Sequence, residues 1–498
     1  MKRMPCRARC VLGCASALGT TAVQAHSFGT TYILPMPLWM YAYGCTATLV
    51  VTFAVMIFFR RTFMPSGGAR ARTIEVSLSG PLRIISQWAL GLLRAGAAAC
   101  LLLSILAGLI GNTDPGRNIG MTLFWVVFLL GFVYLTVFLG DVYEWINPWK
   151  LAATGLERMG LDLSVPRALY PRHLGYWPAF WCYVALVWIE LFMAPEPFTL
   201  SLILISYSVL TFAGIAVFGK AMWFRHADIF SVLFRLVGNL APIEYPQAGV
   251  ACDRNIRGGN IGLRPPFVGV LKDRPGHIAL VLFVLFMLSS TAYDGMHDTV
   301  LWTALFWKTL LQLLQPVWGS DLARAQHLLM DWYLVYRQAG LVLFPFLYFG
   351  FYMFVLLWIK MLVRTAAPLR ILALEFAPTL IPIAVAYHVT HYCTFLISQL
   401  RHLPWLVSDP FGFGWNLLGI RTAATQPALQ MAVIWHAQIA VILVGHVVSV
   451  YLTHDIATRM FTSRRQVVVC QVPFLVLMVF YTIVGLWILS LPLGWSGR

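Results

Sequence analysis

The chain has 498 residues, 60% of them hydrophobic and only 11% charged. A soluble domain carries about 45–50% apolar and about 25% charged residues, so this composition excludes a soluble globular protein and points to an all-α, polytopic transmembrane helix bundle. The net charge of +16 is read as basic cytoplasmic loops that set membrane orientation, not as a nucleic-acid surface.

The N-terminus reads as a signal peptide over residues 1–25. MKRMPCRARC is a basic lead, VLGCASALGTTAV a short apolar run, and VQA a small-residue cleavage site before His26. Lipoprotein processing at Cys14 is the alternative, but Leu12-Gly13-Cys14 is a poor match. Cleavage would leave His26 as the first residue of a single transmembrane domain, 26–498. An N-terminal His offers its amine and ring nitrogen to one copper ion. None of the nine cysteines falls in a CxxC pair, and those in apolar spans, such as Cys45 and Cys470, read as packing residues.

Ten spans follow at about 38–59, 88–111, 119–140, 176–193, 198–219, 277–292, 339–363, 371–397, 430–453 and 467–491. Every second loop is basic: Arg60 to Arg83, Lys150 to Arg172, Lys220 to Arg274, Arg364 with Arg370, and Arg459 to Arg465. These loops are therefore expected on the cytoplasmic side of a bacterial inner membrane, with both mature termini periplasmic. Two regions between spans are long. Residues 220–276 form a basic, Gly/Pro-rich cytoplasmic loop with strand character. Residues 293–338 are external and contain LWTALFWKTLLQLLQPVW, which reads as interfacial or re-entrant because a crossing there would invert every later loop.

Ionisable residues inside membrane helices are costly and usually mark a site. Spans eight and nine carry His388, His391, His436, His446 and His454. At 1.5 Å per residue, His388 and His391 lie roughly 25–30 Å from the inner end of span eight, and His436 about 9 Å below the outer end of span nine. These three share a depth. His388 and His391, three apart, share a helix face, and HxxH with a third His suits Zn²⁺ or Cu²⁺ with one position open. His446 and His454 lie deeper. The candidate catalytic carboxylates are Glu190, near the outer end of span four at a similar depth, and Asp294 of the external loop TAYDGMHD, which also carries His297 and Asp298. The expected cofactor is a divalent metal, zinc first, with copper or an axially ligated haem as alternatives.

Four stretches, HSFGTTYILPMPLWMYAYG, GDVYEWINPWK, LVSDPFGFGWNLLGI and VGHVVSVYLTHD, resemble bacterial polytopic membrane proteins described as fenitrothion hydrolases, over nearly the whole chain. The resemblance implies hydrolysis of a neutral organophosphorus triester, a small apolar substrate that would concentrate in the lipid bilayer. It carries over no catalytic residues. It gives less weight to histidine at 388 and 436, and so favours His391, His446 and His454. A His-bound ion would activate water and polarise the phosphoryl oxygen. The residues alone also admit a proton- or metal-coupled transporter, or a copper- or haem-handling redox protein.

Overall fold

The computed structural model describes residues 37–63, 74–77, 80–163, 165–245, 260–272, 276–310, 312, 322–420 and 431–490. The expected signal peptide and His26 lie outside the described residues. The chain folds as an all-α bundle. Its principal helices are α1 (Leu38–Phe63), α2 (Pro81–Ile110), α3 (Ile119–Leu139), α4 (Pro148–Arg158), α5 (Trp177–Met193), α6 (Pro197–Phe218), α7 (Ile229–Gly238), α8 (Ile278–His297), α9 (Val300–Ala304), α10 (Leu322–Val363), α11 (Leu369–Ser408), α12 (Met431–Met460) and α13 (Arg464–Ser490). Among the described residues nine of these helices are long and apolar enough to cross a membrane. The shorter apolar α5 occupies the expected fourth span.

The helices divide into a wall and a centre. In α1 and α2 only 17% of the apolar window is buried, whereas in α8 it is 89% and in α11 72%. Lipid supplies no hydrophobic drive between helices, so close contact depends on small residues and polar bonds. Gly445 shows the requirement: a Cβ there would lie 2.6 Å from the Ala386 methyl and 2.9 Å from the Pro382 carbonyl. Gly445 therefore lets α12 lie directly against α11.

Three short strands gather at one end. Ile74–Ser77 pairs antiparallel with Asn260–Leu263, Ile74 opposite Leu263, and Ile243–Glu244 pairs with the other edge of the same strand. The loop after α1 and the loop after α7 thus share one sheet and one end of the bundle, called here the sheet end. The opposite end holds the turns at 111–118 and 409–414, joined by the Asn112 amide donating to the Phe411 carbonyl at 2.8 Å.

Two loop expectations are revised. Residues 220–276 are more than a surface loop: they contain α7, in which every residue but Arg235 is buried and which packs against α3, α5 and α11. Ten residues rise only about 15 Å, too little to cross a bilayer, so hydropathy alone passes over this helix. Residues 293–338 shrink, because α8 runs on to His297 and α10 begins at Leu322. Within LWTALFWKTLL the chain forms α9 and one further turn to Leu310, with Trp302 stacked on Tyr336 of α10 at 4.7 Å. Val300–Leu310 is far too short to span.

Candidate functional site

The site lies where α5, α8 and α11 approach the end opposite the sheet. Each is irregular there. α5 closes with a wide π-type turn over Ile189–Met193 that carries Glu190, then a left-handed Ala194 followed by Pro195, which ends the helix. In α11 the segment Ala377–Leu380 tightens to a 3₁₀ turn around Pro378 before the straight run that carries His388, His391 and Tyr392. Gly295 in α8 lets these elements meet. A Cβ there would lie 2.7 Å from Ile488 of α13 and 3.4 Å from the His391 ring.

Asp294 is the centre, only 3% exposed in the last turn of α8. Its Oδ2 accepts the Tyr392 hydroxyl at 2.7 Å and lies 3.0 Å from His391 Nε2. A carboxylate removed from water is tolerated when such donors surround it. On the other side, His297 Nδ1 rests 2.9 Å from the Asp294 carbonyl and 4.0 Å from Asp294 Oδ1. Its Nε2 is 3.4 Å from Asp298 Oδ2. Arg337 of α10 donates to Asp298 Oδ1 at 2.6 Å. The His297 ring stacks on Tyr293 at 5.4 Å and meets the edge of Phe192.

A cavity of about 60 Å³ adjoins this cluster, bounded by Glu190, Tyr183, Ser290, Thr291, His388 and Tyr392 and closed by apolar side chains, including Leu233 and Val237 of α7. A water needs about 10–15 Å³ by this measure, so the space takes a few waters. His388 is half-buried, its ring 4.9 Å from Tyr392, and its shielded Nε2 has no hydrogen-bond partner within the protein. An imidazole nitrogen left unpaired at a water-sized cavity is poised to bond whatever enters.

The five histidines do not converge. His391 is turned to Asp294. His436 points away on an exposed face, with Nδ1 on the Ala432 carbonyl and Nε2 3.4 Å from the Tyr41 hydroxyl of α1. His446 is enclosed further along α12, with Nδ1 2.8 Å from the Ile442 carbonyl and Nε2 unpaired. His454 pairs with Gln471 of α13 at 3.0 Å. Among the described residues no three His, Cys, Asp or Glu side chains are placed to share an ion. Neither the set His388, His391, His436 nor the set His391, His446, His454 is assembled. These donors do not fit the expected metal, and no step below runs through one. What equal depth could not settle is rotation: His436 lies on the face of α12 turned to α1, not to α11.

Of the residues singled out from sequence, Glu190 and His388 line the cavity, and Asp294 and His391 pair beside it. Sequence reasoning missed Tyr392 as the second donor to Asp294, although its position four residues after His388 puts both on one face. It also missed α7 as a wall of the cavity.

A second buried polar group lies at the sheet end. Burial, with the Glu144 charge beside it, pushes the Asp141 carboxyl up to about 7. Its Oδ1 caps the Glu144 amide at 3.2 Å, and Glu144 pairs with Lys150. Asp228 caps α7 through the Ser231 amide at 2.8 Å and accepts the Tyr207 hydroxyl. Comparison with protein-family models, with curated proteins and with solved structures found no match for this chain.

Proposed function

We propose that this chain is a membrane-embedded hydrolase of neutral, apolar esters, organophosphorus triesters first among them, in the inner membrane of a bacterium. The observation that carries the reading is the unpaired Nε2 of His388 on a water-sized cavity shared with Glu190. His388 takes a proton from the cavity water as the water oxygen attacks phosphorus, and the bond to the aryloxide leaving group breaks. Glu190 stabilises the imidazolium that forms. Asp294 holds Tyr392 in the cavity wall and His391 beside it. The space supplies the nucleophile, and the triester reaches it from the lipid.

The orientation follows from charge. Arg167, Arg172, Lys220 and Arg225 lie at the sheet end, whereas the turn at 111–118 carries one Asp and one Arg. Basic loops stay cytoplasmic, so the site faces the outer half of the membrane. A proton-coupled transporter is the second reading, favoured by α7, a half-spanning helix whose Leu233 and Val237 line the same cavity.

The test is release of nitrophenol from fenitrothion by protein in nanodiscs, with metal content measured in the same preparation. His388→Ala should lower the rate about 10²–10⁴-fold, the usual effect of losing a general base. Wild-type rates in His388→Ala, or activity that tracks a bound zinc, would overturn the mechanism. A well-folded wild type that cleaves no triester would move the function to transport.

A further inference from the structure

We propose that Tyr392, Asp294, His297 and Asp298 form a proton relay linking the cavity to the aqueous surface at the end opposite the sheet. The four side chains stand in series, with one gap, 4.0 Å between Asp294 Oδ1 and His297 Nδ1, that a turn of the His297 ring must close. Tyr392 lines the cavity and donates to Asp294 Oδ2 at 2.7 Å. Asp294 Oδ1 lies 4.0 Å from His297 Nδ1, and His297 Nε2 lies 3.4 Å from Asp298 Oδ2. Exposure rises along the series: the Asp294 and His297 side chains are 1% and 2% exposed, that of Asp298 44%. The relay therefore begins at the cavity and ends in water.

Outward transfer moves one proton per step and no electrons. The Tyr392 oxygen takes a proton from the cavity as its own passes to Asp294 Oδ2. Asp294 turns its carboxyl to bring the proton received at Oδ2 to the His297 side. His297, whose Nδ1–H rests on the Asp294 carbonyl, flips its ring so that the unprotonated Nε2 accepts this proton and Nδ1–H gives its own to Asp298, and Asp298 releases one to solvent. The surrounding charges assist: Arg337 of α10 holds Asp298, Glu190 approaches from α5, and His388 and His391 stand on α11. His297 stacks on Tyr293, which keeps the ring between the two carboxylates. This relay does not depend on hydrolysis: any reaction or transport that moves protons at the cavity would use it.

The test is rapid-mixing infrared spectroscopy of the whole protein in nanodiscs after a pH jump. The carboxyl band of Asp294 is identified by its loss in Asp294→Asn. In wild type it should follow the jump. Asp298→Asn and His297→Ala should slow it about 10²–10⁴-fold, the usual range for a lost proton-transfer group, and imidazole in the buffer should restore the rate in His297→Ala. Asp298 is a surface residue, so Asp298→Asn keeps the test valid if His297→Ala fails to fold. An Asp294 band that does not respond, or one that responds at the wild-type rate in the variants, overturns the relay. Absence of triester cleavage with these kinetics intact would sink the hydrolase reading alone.

Discussion

Replacing Asp294 separates its structural role from its chemical one. In Asp294→Ala, the Tyr392 hydroxyl and His391 Nε2 lose a shared acceptor in a site only 3% exposed. Each buried donor left without a partner costs about 1–3 kcal/mol, so the loss is roughly 2–6 kcal/mol. Removing a buried carboxylate returns part of that, because its own desolvation no longer opposes folding. A net destabilisation of about 2–4 kcal/mol is expected, a large share of the 5–15 kcal/mol typical of a domain. Asp294→Asn keeps an acceptor oxygen for one of the two donors and should cost about 1–2 kcal/mol. Thermal unfolding in detergent, followed with a thiol-reactive dye at the buried Cys45 and Cys470, measures both. The two variants should differ in stability yet share the same loss of proton transfer. If Asp294→Ala unfolds at the wild-type temperature, the cluster does not hold α8 to α11 and the energetic argument fails.

Two further outcomes follow from the fold. Asp141 should make the protein less stable as pH rises. Its folded value of about 7 exceeds the ordinary 3.8, so between these values the native state holds a proton that the unfolded chain has released. Stability then falls from about pH 4 to about pH 7, by up to roughly 4 kcal/mol, and levels off above. Asp141→Asn should flatten this stretch of the stability profile, and an unchanged slope would refute the assignment. A topology reporter fused at Gly160 should behave as cytoplasmic and one at Gly116 as periplasmic; the same signal from both would overturn the alternation of helices.

Composition and hydropathy determined the class of fold and nearly all the spans, because a bilayer imposes a length and polarity on each helix that one sequence displays directly. Ionisable residues within spans stood out for the same reason: Glu190, His388 and His391 are costly in lipid. Helix rise placed these three at a similar depth, whereas hydropathy sets Asp294 in the external loop after span six. Only the tertiary structure decided which faces meet. His436 shares that depth but turns to Tyr41, and His454 turns to Gln471. Rotation about a helix axis depends on its neighbours, here on close approaches such as Gly295 and Gly445. The helix α7 was hidden too, since a ten-residue helix cannot span a bilayer and shows its role only when buried among longer helices. The pairing of Asp294 with His391 and Tyr392 joins residues almost a hundred positions apart, a contact that no local periodicity encodes.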